Sequence, residues 1–274
     1  MTTRELDRSA LWLDLMRRVT QSCPRAAVHG HVAEGFAGEG DVDLLVPESE
    51  WAVLEREFDA WARRSLLGPV VACRHRAGVL ILVALADEGA PFFELEARAR
   101  RFFKGSTLYV AQDFGPVLET APDGYRRVRA GAAGLLKLVP NGLARGGGLK
   151  WKGAKAERVG RLLAEDPDGV RVAAELFALP RGPLVAAADS MAHGGWDRRA
   201  VLVLQASAAA RGVLELPTLV ARARARLGPG GRCLVLETIG KHKRRVPGDR
   251  REWLRRAAVD HRVDGAGSVG PRRP

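Results

Sequence analysis

A chain of 274 residues with 46% apolar and 28% charged residues can bury a substantial core and has the balance of a globular protein. No apolar run approaches the ~18–20 residues of a membrane span, and an N-terminus with Asp7 and Asp14 among its apolar residues lacks a signal-peptide core, which argues against export. The net charge is +12, and the three cysteines, at 23, 73 and 233, fit neither a disulfide framework nor a zinc knuckle; read as small buried hydrophobes, they point to a reducing cytoplasm.

Residues 4–19 read as a helix, with Leu6, Ala10, Leu13 and Met16 near helical spacing. Gln21-Ser22-Cys23-Pro24 ends it, because the residue before a proline is pushed out of the α region. A strand over 26–29 runs into Gly30, a loop with three glycines follows over 31–40, and a second strand over 41–46 opens with Asp41 and Asp43. A period of two places both aspartates on one face. Like charges held that close repel unless a cation lies between them, so the pair is a candidate Mg²⁺ site. Pro47 starts the next helix, with Trp51, Leu54, Phe58 and Trp61 on one side; Glu48 and Glu50 suit its start, and Arg63-Arg64 its end. Apolar strands over 70–73 and 79–85 flank a basic turn that contains Ala77-Gly78, and a further strand is expected over 92–97. The order helix–strand–strand–helix–strand–strand–strand implies an α+β fold, a mixed sheet with helices packed on it.

Composition shifts after about residue 120. Residues 1–120 hold 14 Lys and Arg against 18 Asp and Glu, and residues 121–274 hold 30 against 14, a net of +16. A basic half can steer an anionic partner; a solvated Arg-rich surface is the plainer reading. Residues 130–139 read as a helix weakened by Gly131 and Gly134. A loop follows over 140–153, holding Gly146-Gly147-Gly148, Arg145, Lys150 and Lys152. Helices over 155–164 and 170–179 are joined by Asp166-Pro167-Asp168-Gly169, a strong turn signal. Further helices are expected over 184–193, 198–210, 216–227 and 250–259, with one late strand over 232–237. The expected organisation is an α/β domain over 1–120, a basic and mainly helical domain over 121–262, and a disordered tail over 263–274.

The run His29-Gly30-His31, then about ten residues, then Gly40-Asp41-Val42-Asp43-Leu44-Leu45-Val46, resembles the nucleotidyltransferase superfamily. That is the fold of DNA polymerase beta and of bacterial antibiotic-modifying nucleotidyltransferases. With Pro47 and the amphipathic helix after it, the stretch is similar to uncharacterised bacterial nucleotidyltransferases, over about residues 24–105. The resemblance implies that Gly30 and His31 back the nucleotide phosphates and that Asp41, Asp43 and a third carboxylate hold Mg²⁺. The third comes from Phe92-Phe93-Glu94-Leu95-Glu96-Ala97-Arg98, where Glu94 and Glu96 share a strand face. Glu96 is preferred because family members tend to show an acidic residue two before an Arg here, and a solvated edge-strand face pairing with Arg98 and Arg100 is the plainer alternative. The implied reaction transfers a nucleoside monophosphate from a nucleoside triphosphate to a hydroxyl acceptor, a small molecule or an RNA end, with Mg²⁺.

His31 stands where the family has Ser or Gly against the terminal phosphate, and Glu96 stands where it has Asp. These departures favour a second reading, a catalytically inactive member of the fold that binds RNA or another acidic partner through the basic half. Two more motifs bear on phosphate. Leu236-Glu237-Thr238-Ile239-Gly240-Lys241 lacks the earlier Gly and the following Ser or Thr of a phosphate-binding loop. The basic run Lys241-His242-Lys243-Arg244-Arg245 and the segment Lys150-Trp151-Lys152 offer phosphate contacts and a stacking surface.

Overall fold

The computed structural model describes residues 7–29, 32–37, 42–67, 69–76, 78–84, 93–143, 153–215, 220, 232–236 and 243–246. The expected helices over 216–227 and 250–259, the tail over 263–274 and the basic loop residues 145–152 lie outside them, apart from Val220.

Helix α1, Arg8–Ser22, begins at Asp7, whose carboxylate accepts from the Ala10 N–H at 3.0 Å. Pro24 follows its C-cap, Cys23. Strand β1, Ala27–His29, leads to a short helix α2, Val32–Ala37, where the glycine content predicts a loop. The apolar contact that orders it comes from far along the chain: Phe36 stacks on Trp12 with centroids 6.2 Å apart and meets Tyr125 at 5.9 Å. Strand β2, Val42–Leu45, and a 3₁₀ turn at Glu48–Glu50 precede helix α3, Trp51–Arg64. Its Trp51, Leu54, Phe58 and Trp61 are buried, as their spacing predicts. Strands β3, Val70–Arg76, β4, Val79–Ala84, and β5, Phe93–Arg98, match the apolar runs.

The sequence pattern does not announce the hairpin of β6, Arg100–Phe103, and β7, Ser106–Val110. Its two-residue turn, Lys104-Gly105, has positive φ at both positions, 49° and 101°. A 3₁₀ segment, Ala111–Val117, then leads to β8, Leu118–Thr120, and β9, Arg126–Val128.

Helix α4, Ala130–Lys137, continues as a π-helical stretch, Leu138–Leu143, through Pro140, where a loop is expected. Helices α5, Ala154–Glu165, α6, Pro167–Leu176, α7, Arg181–Ala192, and α8, Arg198–Leu214, complete the helical region. The expected four-residue turn between α5 and α6 is tighter than its composition implies, since Asp166 caps α6 directly and Pro167 opens it. Strands β10, Arg232–Leu236, and β11, Lys243–Val246, end the described chain.

Nine strands form one mixed sheet in the order β11-β10-β3-β4-β5-β2-β1-β9-β8, with β2–β5 and β1–β9 parallel and the other pairs antiparallel. Strands from both sides of residue 120 thus share it. On one face, Val28, Leu44, Leu80, Leu82 and Leu95 pack under α1 and α3 around Trp12 and Trp61. On the other, Ala27 and Leu45 join the core of the helical region. The backbone alternation therefore sends His29, Asp43, Glu94 and Glu96 to the side on which α4 lies.

Cys73 departs from the reading of the cysteines as reduced hydrophobes: it is disulfide-bonded, and its register partner across β3 and β10 is Cys233. Separation along the chain hides this antiparallel juxtaposition. Cys23 is the free, fully buried thiol the composition implies. No helix of the described residues is long and apolar enough to cross a membrane.

Candidate functional site

The site forms where β1, β2 and β5 lie side by side. His29 faces Asp43 across the antiparallel β1–β2 pair, and Asp43 faces Glu96 across the parallel β2–β5 pair. Glu96 rather than Glu94 is the neighbour of Asp43; Glu94 faces Val83 on β4 and is 9% exposed. Strand β5 is central, not an edge, so its carboxylates project over the sheet. Gly30, His31 and Asp41 lie outside the described residues.

Each of these two carboxylates has a cation. Lys137 Nζ, at the end of α4, donates to Asp43 Oδ2. Arg98 Nη2 pairs with Glu96 Oε1 from two residues along the same strand, as the plainer reading of this strand expects. Arg100, also named in that reading, pairs instead with Glu48 at 2.8 Å. All four side chains of the two site pairs are 15–20% exposed, so water screens them only in part.

Burial pushes the Asp43 carboxyl upward, but the basic groups around it outweigh that, Lys137 by its charge and its hydrogen bond and Arg98 by its charge, and hold it below the ordinary aspartate value. His29 is 5% exposed, and burial drives its pKa down to about 3, with Lys137, Arg98 and Arg101 reinforcing the fall against the pull of Asp43. Its imidazole is therefore neutral at pH 7, and among the described residues neither ring nitrogen has a hydrogen-bond partner. Arg101 on β6 stands within electrostatic reach of Asp43, Glu96 and Arg98.

Sequence reasoning missed Lys137 and Arg101. The first has a signal, being the one charged residue in the apolar run 130–139. The second has none, because the hairpin that presents it is invisible to hydrophobic periodicity.

No family model, curated protein or solved structure matches this chain.

Mg²⁺ needs hard oxygen ligands with net negative charge. By position Asp43 and Glu96 suit it; by charge they do not, because Lys137 and Arg98 already neutralise both. Among the described residues no three His, Cys, Asp or Glu side chains come together as a metal-holding group. A divalent ion fits here only after those two cations let go.

Proposed function

We propose that this chain is a nucleotidyltransferase-fold protein that transfers a nucleoside monophosphate from a nucleoside triphosphate to a hydroxyl acceptor. The observation that carries this reading is the register that sets Asp43 beside Glu96 on adjacent parallel strands. The residues come from the two segments that resemble the family, 41–46 and 92–98. Lys137 and Arg98 add positive charge beside them, which suits a triphosphate. In this reading Asp41 joins the carboxylates, Gly30 and His31 back the phosphates, and the helical region from α4 onward presents the acceptor, a small molecule or an RNA end. The Mg²⁺ that the resemblance implies would supply a Lewis acid for the phosphates, with Asp43 and Glu96 released from their cations to hold it. The test is incubation with each labelled nucleoside triphosphate, Mg²⁺ and a cell extract. A labelled product made by the native chain and not by Asp43→Asn supports the reading, and its absence with every nucleotide overturns it.

The second reading, a fold-retaining protein without chemistry that binds RNA through its basic half, is favoured by the closed charge pairs at Asp43 and Glu96. Salt-sensitive RNA binding that survives Asp43→Asn, with no labelled product, selects it.

A further inference from the structure

Helix α8 is apolar on two opposite sides. Val201, Leu204, Ala208 and Gly212 turn inward. At Gly212 the packing is so close that a Cβ would lie 2.5 Å from the Lys104 carbonyl oxygen. The other side carries Leu202, Val203, Val213 and Leu214, which are 65%, 42%, 73% and 83% exposed, with Ala206 and Ala210 exposed between them. At about 100° per residue these six form one stripe along the helix, and Arg211, the only charged residue from 200 to 214, falls outside it. A helix that is apolar all round belongs in an interior, and a contiguous apolar face left open on such a helix marks an interaction surface.

The pattern on this face reads the same in both directions. Positions 202 and 214, 203 and 213, and 206 and 210 pair off about residue 208: Leu with Leu, Val with Val, Ala with Ala. A foreign partner does not require that symmetry, whereas an isologous contact between two copies does. Run antiparallel, two such helices set Leu202 at the height of Leu214 and Val203 at the height of Val213, while the alanines let the backbones approach in the middle. Charge favours the same direction. Arg198 and Arg199 stand exposed at the N-terminal end of α8, the unfavourable end for a cation in the helix's own dipole. In the antiparallel pair Arg199 lies about 4.5 Å past Leu214 of the second copy, beside the last carbonyls of its α8, where a cation is stabilising.

We propose that α8 is the contact of a two-fold symmetric homodimer, packed antiparallel against α8 of a second copy with the axis near Ala208. A face about 18 Å long and one helix wide buries less than the ~1,200–2,000 Å² of a standard interface, so the pair dissociates in the micromolar range. The contact does not depend on the transfer reaction, since none of its residues belongs to the site at β1, β2 and β5.

The experiment is sedimentation equilibrium of the full chain from about 1 µM to about 1 mM. A monomer–dimer equilibrium is expected, and Leu214→Lys and Val213→Lys are each expected to weaken it about tenfold or more by burying an unpaired charge. Both side chains are exposed in the single chain, so these substitutions leave its core intact. Direction is read from mixtures. Leu202→Lys with Leu214→Glu is expected to dimerise about threefold or more tighter than Leu202→Lys with Leu202→Glu, because only an antiparallel pair brings position 202 to position 214. A monomer at every concentration, an assembly that both Lys variants leave intact, or mixtures of equal or reversed affinity overturns the proposal.

Discussion

Lys137 donates to Asp43 across 94 residues of chain, tying the last turn of α4 to the second strand of the sheet. The pair is mostly buried, at 20% and 16% exposure, so its members depend on each other. Removing one partner leaves a charge stranded in a low dielectric. Lys137→Gln is expected to cost about 2–4 kcal/mol in urea unfolding, and the double variant with Asp43→Asn to cost less than the sum of the singles by roughly 1–3 kcal/mol. Strict additivity would show that the ion pair does not couple the helix to the sheet.

Gly131 and Gly134 look like weaknesses in α4 and are contacts instead. A Cβ on Gly131 would lie 2.0 Å from the Asp166 carbonyl oxygen and 2.6 Å from the Val170 nitrogen, both backbone. At Gly134 it would lie 2.7 Å from the Leu163 side chain. Gly131→Ala therefore gains about 1 kcal/mol of helix propensity and loses roughly 2–4 kcal/mol to displaced backbone, a net destabilisation. Gly182→Ala in α7, with nothing within 4 Å, is expected to stabilise by a few tenths to about 1 kcal/mol. Thermal midpoints moving in the same direction for both would contradict this account of α4.

Asp166 joins three partners with one carboxylate. It accepts from the Gly169 N–H at 2.9 Å, capping α6, from the Gly131 N–H at 3.2 Å in the first turn of α4, and from Arg129 at 2.5 and 3.1 Å. Burial raises its pKa, but these hydrogen bonds and the Arg129 charge outweigh that and hold it below the ordinary aspartate value. A depressed carboxyl contributes stability above its unfolded pKa of about 3.9, and that contribution disappears as pH falls through the lower folded value. The native chain should therefore lose more stability than Asp166→Asn on acidification from pH 5 downward, while at pH 7 the variant is weaker by about 1–2 kcal/mol. Parallel pH profiles for the two would remove Asp166 from the acid response.

Arg126 on β9 clamps the end of α1, donating to the carbonyl oxygens of Thr20 at 2.8 Å and of Cys23 and Ala26 at 3.4 Å. These carbonyls need partners where the helix ends, and a guanidinium reaches all three from one side chain. Arg126→Ala is expected to cost about 1–3 kcal/mol, and Arg126→Lys to restore less than half of it. Full rescue by lysine in equilibrium unfolding would mean that charge alone is sufficient.

The thiols should behave unequally. Burial pushes the Cys23 thiol up to about 12, so it holds little thiolate at neutral pH. Iodoacetamide is expected to label Cys23 only in denaturant, and a non-reduced digest to contain Cys73 linked to Cys233. Rapid labelling of Cys23 in the native chain would show that α1 opens readily at its end.

Local signals were legible where they repeat along the chain. The stripe Trp51, Leu54, Phe58 and Trp61 announces α3, and the apolar runs announce β3, β4 and β5. The same alternation puts Glu94 and Glu96 on one strand face. It does not say which of them lies beside Asp43, because a parallel register is set by how β2 and β5 slide against each other. The β6–β7 hairpin and helix α2 were illegible for a related reason: the contacts that order them, Phe36 on Trp12 and Glu215 accepting from the Thr107 N–H at 3.0 Å, come from far along the chain.

The sequence by itself determined the character of the elements, an α+β chain whose acidic strand residues share faces by a period of two. Periodicity is a local property, and burial of one face enforces it. Tertiary structure alone decided what those carboxylates meet. It set Lys137 against Asp43 and Arg98 against Glu96, and left the ring nitrogens of His29 without a hydrogen-bond partner among the described residues, because pairing depends on distances that only the packed chain defines.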